Sequence, residues 1–142
     1  MVVSMPTIKV SVIGESVSPT RMIVKGKKTE YVVDKDESSP LEYILAAFAG
    51  CINIVGFMVA KDMNLDIEKI IVEISGKLNT DKLMGKNVED RAGYKEIKVK
   101  VKVQGNVEEG KLKEWIAKVE ERCPIGDNIM HETPVCVEVE KV

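Results

Sequence analysis

Residues 40–61 limit what this chain can become. Ser39 is a natural N-cap, Pro40 suits the first helical position, and the residues that follow are mostly strong helix formers, so a helix is predicted from Pro40 onward. Between Tyr43 and Ala60 the only plainly polar side chain is Asn53. A helix that is apolar on every side must be surrounded by protein or by lipid, which rules out a one-sided surface helix. The run is about long enough to span a bilayer, which takes roughly 20 apolar residues. No basic cluster flanks it, however, and strand-like segments on both sides need a partner for their own apolar faces. The expectation is a helix buried by sheets and by a second copy of itself. Gly50 and Gly56 would let a neighbour approach, at a cost of roughly 1 kcal/mol of helix propensity each.

The flanking segments read as antiparallel strands. In residues 7–13, Ile8, Val10 and Val12 alternate with Thr7, Lys9 and Ser11, the period of a half-buried strand. Residues 14–19 read as a turn, 20–25 as a second strand, Gly26-Lys27-Lys28 as a reversal, and 29–34 as a third strand. Beyond the helix, residues 67–78 form a fourth strand with Ile70, Val72, Ile74 and Leu78 on one face. Residues 79–93, charged and broken by Gly85 and Gly93, form a surface loop. Ile97, Val99, Val101 and Val103 then alternate with Glu96, Lys98, Lys100 and Lys102, a strand with one wet face. Asn106 followed by Glu109 resembles a capping box, and Leu112, Trp115, Ile116 and Val119 make one apolar stripe, so a second helix is predicted over 106–122. Cys123, eleven residues after Leu112, lies about 20° from it around the axis and continues the stripe. Pro124 and Gly126 end that helix. Val135, Val137 and Val139 alternate with Cys136, Glu138 and Glu140 as a last strand. The predicted order is βββ-α-ββ-α-β, an α+β fold without internal repeat.

Composition narrows the function classes. A chain of 142 residues suits one domain, 1–142. Its net charge of -2 and dispersed lysines and glutamates leave no basic face for nucleic acid. The start of the chain has neither a charged head nor a long apolar core, so a cytoplasmic location is expected, without membrane anchoring. Three cysteines in a reducing compartment point to separate roles and not to a disulfide framework. Of these, Cys51 sits inside the apolar helix and Cys123 at the end of the second one. Such a pair suits reversible thiol chemistry, while a free buried cysteine also serves as a small hydrophobe. Cys136 shares its strand face with Glu138 and Glu140, whose charge disfavours a thiolate. His131 stands alone, without the Cys-x-x-Cys or second histidine of a metal site, and no phosphate loop or serine elbow is present. Neither a metal nor another cofactor is expected. Asn53 is expected to make a polar contact in the packed interior.

Ser39-Pro40-Leu41-Glu42, then Leu45-Ala46-Ala47-Phe48-Ala49-Gly50-Cys51, with Cys123-Pro124-Ile125 after a second helix, resembles the OsmC/Ohr family, and the element order agrees over nearly the whole chain. The resemblance implies an intertwined homodimer, long helices buried between two antiparallel sheets, and sites at the subunit interface. It further implies that Cys51 attacks organic hydroperoxides, that Cys123 resolves the product as a disulfide, and that a small dithiol restores the enzyme.

The thiolate that such chemistry needs must be stabilised, and Cys51 is about three turns from the helix N-terminus, beyond reach of its dipole. In the catalytic members an early-strand arginine pairs with a glutamate ten residues before the first cysteine. Arg21 is the matching arginine here, with Arg91 and Arg122 as rivals, and the glutamate position holds Leu41. Glu42, nine residues before Cys51, points to the opposite side of the helix at 100° per residue. The sequence therefore supports a thiol-dependent peroxidase acting through Cys51, Cys123 and Arg21. The alternative is a non-peroxidatic dimer of the same fold that binds a small apolar or thiol-reactive ligand at the subunit interface.

Overall fold

The computed structural model describes residues 6–142. They form an α+β fold in two compact units, one ending at Ile44 and the other running from Leu45 to Val142.

The first unit is an antiparallel meander in the order β1-β2-β3, with β1 at Ile13–Ser18, β2 at Arg21–Lys25 and β3 at Glu30–Asp34. Its first strand lies later than the alternation over residues 7–13 predicts. Ser18 pairs with Arg21 around a tight turn in which Pro19 presets the backbone, so pairing runs back along β1 only as far as Ile13 opposite Lys25. There β2 ends in the reversal at Gly26, and residues 8–12 lie outside the strands among the described residues. Ile8 and Val10 stand 86% and 82% exposed. Across β2 and β3, Arg21 faces Asp34 and Lys25 faces Glu30, opposite charges in register.

The helix α1 spans Pro40–Asp62. Ser39 Oγ accepts the Leu41 N–H at 3.0 Å, the predicted cap. Its far end closes on Asn64, whose φ of 55° places it in the left-handed region. Asn64 N–H reaches the Lys61 carbonyl at 3.1 Å and Leu65 N–H the Ala60 carbonyl at 2.8 Å, which is a Schellman closure.

In the second unit, β4 (Asp66–Leu78) and β5 (Tyr94–Asn106) form a long antiparallel hairpin. Its inner face carries Ile67, Ile70, Val72, Ile74, Val101 and Val103. Against these pack Ile52, Val55, Val59 and Ala60 of α1 and Trp115 and Val119 of α2 (Glu109–Arg122). Two of the lysines on the wet face of β5 are ion-paired to neighbours, Lys102 to Glu73 at 2.8 Å and Lys98 to Glu96 at 3.4 Å. Asn106 does not cap α2. It is the last residue of β5, opposite Asp66, and the N-cap is Glu108 without a side-chain bond.

Gly56 is required by this packing. A Cβ there would lie 2.9 Å from both Ile70 Cδ1 and Trp115 Cζ2. Trp115 Nε1–H donates to the Gly56 carbonyl at 2.8 Å, which fixes the ring over the bare backbone. Gly50, by contrast, has no such neighbour among the described residues. The helix is long and apolar enough to cross a membrane, and one face of it packs into the core against the β4–β5 hairpin and α2. The other face is open in the single chain, with Ile54 63% and Met58 50% exposed. Asn53 is exposed as well, and not in the interior as expected.

The chain departs from the predicted order at its end. After Cys123 a short helix, α3 (Pro124–Met130), forms instead of a loop, and residues 132–142 belong to neither sheet of the described chain. Val135, Val137 and Val139 are 81%, 80% and 95% exposed. Their alternation describes a strand whose partner is not among the described residues.

Candidate active site

The sulfurs of Cys51 and Cys123 meet. Cys51 lies on α1 between Phe48 and Val55, which face the core, and Cys123 closes the apolar stripe of α2. Cys123 is 2% exposed, Cys51 is half-buried, and both are free thiols. The Cys123 Sγ–H donates to Cys51 Sγ at 3.0 Å. The contact depends on the break between α2 and α3. Cys123 leaves the helical conformation, with φ -79° and ψ 109°, and becomes the N-cap of α3, with Pro124 in its first turn. Its sulfur accepts the Gly126 N–H at 3.4 Å.

This thiol N-cap is what sequence reasoning missed. Pro124 and Gly126 read as helix breakers, and they also start a new helix, for which Cys-Pro is the signal. Gly126 is held close: a Cβ on it would lie 3.2 Å from Phe48 Cε1 and 3.6 Å from Cys123 Sγ. A largely apolar cavity of about 760 Å³ opens beside the pair between α1, β5, α2 and α3. Phe48, Ile52, Val99, Ile116 and Ile129 line it, and Gly126 belongs to its wall.

The electrostatics do not favour a thiolate in the single chain. Burial pushes the Cys51 thiol above its ordinary range, and the hydrogen bond shared with Cys123 adds to the rise. A backbone hydrogen bond from Ile125 opposes it, while the charge of Cys123 reinforces it. No lysine or arginine is among the groups that set this shift. Arg21, in the first unit, faces Asp34 with Nη1 3.9 Å from Oδ2. Arg122 is held by Asp62 at 2.7 Å, and Arg91 is exposed in the β4–β5 loop. Leu41 occupies the first turn of α1, 39% exposed, where the resemblance calls for glutamate. His131 closes the C-terminus of α3, its Nδ1 3.2 Å from Asp127 Oδ1. Cys136 is exposed and belongs to neither sheet.

The family profile described as OsmC-like protein matches residues 33–138. Among solved structures, an OsmC-like protein from Mycoplasma pneumoniae has a TM-score of 0.78 at 19% identity, over 87% of this chain and 88% of the other. A hypothetical protein from Aquifex aeolicus VF5 has a TM-score of 0.74 at 20% identity, over 87% and 89%. An organic hydroperoxide resistance protein from Elizabethkingia anophelis has a TM-score of 0.66 at 13% identity, over 87% and 89%. No curated protein matches the chain by sequence.

Proposed function

The chain belongs to the OsmC-like protein family, and from that premise we propose that it is a thiol-dependent peroxidase that reduces organic hydroperoxides through Cys51 and Cys123. The observation that carries the reading is the 3.0 Å separation of the two sulfurs. The hydroperoxide-resistance function named for structural neighbours such as the Elizabethkingia protein supports it.

In the first step the Cys51 thiolate attacks the distal peroxide oxygen. An S–O bond forms as the O–O bond breaks, and the alkoxide leaves as an alcohol after taking a proton. The Cys123 thiol then attacks the Cys51 sulfur, an S–S bond forms, and the sulfenic oxygen departs as water. A dithiol reductant reopens the disulfide by exchange, itself becoming oxidised. The cavity beside the pair suits an apolar alkyl or aryl group on the peroxide. Arg21 is the proposed activating cation.

The proposed assembly is a homodimer. The open face of α1 with Ile54, Phe57 and Met58, together with the exposed alternating residues Ile8, Val10, Val135, Val137 and Val139, which belong to neither sheet among the described residues, supports this. The family match runs across both compact units, which supports one domain over 1–142. A reducing cytoplasm suits its free thiols. The test is consumption of an organic hydroperoxide with dithiothreitol present. The wild-type protein turns over and Cys51→Ser does not. Equal rates in the two proteins refute the proposal.

A second reading has its own support. The raised Cys51 thiol and the leucine at position 41 favour a non-peroxidatic member that holds an apolar or thiol-reactive ligand in the same place.

A further inference from the structure

Two reduced thiols in contact, with an apolar cavity beside them, form a site for a ligand that is neither a peroxide nor an oxidant. We propose that Cys51 and Cys123 chelate trivalent arsenic bearing an organic group, the arylarsenoxide class, with the aryl group seated in the cavity between α1, β5, α2 and α3.

The geometry selects this chemistry. Trivalent arsenic makes three bonds in a pyramid, so it holds two sulfurs on the same side and near contact with each other. The sulfurs here are 3.0 Å apart. A linear two-coordinate soft cation needs its sulfurs on opposite sides. Tetrahedral zinc needs further ligands, and no cluster of three or more His, Cys, Asp or Glu suited to a metal occurs among the described residues. The third arsenic bond carries the organic group. Phe48 and Ile52, three residues before and one after Cys51, line the cavity, and so does Gly126, whose N–H touches Cys123 Sγ. An aryl group on arsenic therefore has apolar walls next to the atom that holds it. Cys51, half-buried where Cys123 is buried, gives the reagent its way in.

The reaction is a condensation. Two S–H bonds and the arsenic–oxygen bonds break, two As–S bonds form, and both thiol protons leave with the oxygen as water. Arsenic stays trivalent and no electron acceptor is used. Because the thiol protons are consumed by the departing oxygen, the step does not need a stable Cys51 thiolate, which suits a thiol that burial has pushed up. The second As–S bond closes within one preformed site, and such intramolecular closure strengthens binding by about 10²–10⁴-fold over a single thiol. Cys136, exposed and alone, gains nothing of the kind. The proposal goes beyond the peroxidase reading and does not depend on it.

The experiment treats the reduced full-length chain with phenylarsine oxide and reads the intact mass. The expected result is one adduct per chain, equal to the reagent less one water. It persists in excess glutathione and is removed by dithiothreitol. Cys51→Ser and Cys123→Ser each lower retention by about 100-fold or more, and Cys136→Ser leaves it unchanged. In the wild-type chain, oxidising the pair with diamide blocks uptake and reduction restores it, which keeps the test decisive if a serine variant misfolds. Inorganic arsenite, lacking the aryl group, is retained about 10-fold less well, the transfer value of a partly buried ring. An adduct stripped by glutathione, surviving in either site variant, or lost in Cys136→Ser overturns the chelate. Equal retention of arsenite and the aryl reagent overturns the seat for the ring.

Discussion

Replacing Gly56 by alanine should destabilise the fold although alanine is the better helix former. In an exposed helix the change would gain about 1 kcal/mol. Here the new methyl would sit 2.9 Å from Ile70 Cδ1 and 2.9 Å from Trp115 Cζ2. The isoleucine tip can give way, but the indole is 1% exposed and tied by its Nε1–H to the Gly56 carbonyl at 2.8 Å. Moving the ring stretches that bond, worth about 0.5–1.5 kcal/mol, and overpacking adds about 1–3 kcal/mol. After subtracting the helix gain, the net loss is about 2 kcal/mol, within a range of about 0.5–3.5. For a chain of this length that lowers Tm by roughly 6–8 °C. Thermal unfolding followed by circular dichroism measures it, with the fluorescence of the single tryptophan reporting the ring. Adding Ile70→Val should recover part of the loss, because the two sites share one contact. A Gly56→Ala protein with unchanged or raised Tm would refute the packing argument.

Peroxidase activity should rise as pH climbs through and above the ordinary thiol range, because only the thiolate attacks and burial raises the Cys51 pKa; a pH profile that is flat from neutrality upward contradicts this. The same shift bears on stability. A pKa raised in the folded state gives stability that is complete below the unfolded pKa and lost as pH rises through the folded one, so alkaline destabilisation should be smaller in Cys51→Ala. Leu41→Glu should raise the peroxidase rate, by up to about 100-fold if the carboxylate orients the activating arginine. A lower rate with a further raised Cys51 pKa would mean that no arginine waits there and would favour the ligand-binding reading. Sedimentation at micromolar concentration should find a dimer whose thermal stability depends on concentration, and a folded monomer would refute the proposed assembly.

The sequence was most legible where a local rule and the tertiary structure agree. Ser39-Pro40 starts α1 as predicted, and the period-two run of β5 and the apolar stripe of α2 both face the core. It was least legible where pairing decides. Residues 7–12 alternate like a strand, but the turn at Pro19 exhausts β2 at Ile13. Residues 135–140 alternate likewise and join neither sheet among the described residues, since periodicity shows that a face will be covered and not by what. Asn106 looked like a cap because Glu109 follows it, yet β5 claims it first. The whole α1 surface read as buried, whereas a single chain covers one side and leaves Asn53, Ile54 and Met58 outside. At the site, both cysteines could be named from the residues that surround them, while their meeting was expected from the family resemblance and not from spacing, because the contact rests on the change of direction at Cys123.

The most direct test of the central claim is a single turnover without reductant. One equivalent of an organic hydroperoxide is added to the reduced protein, the alcohol released is counted, and the disulfide is mapped by mass spectrometry. The peroxidase account predicts one alcohol per chain and a Cys51–Cys123 bond, with Cys123→Ser still releasing the alcohol and stopping at a Cys51 sulfenic acid that a dimedone-type reagent captures. No alcohol, or a Cys123–Cys136 bond in place of Cys51–Cys123, would contradict it.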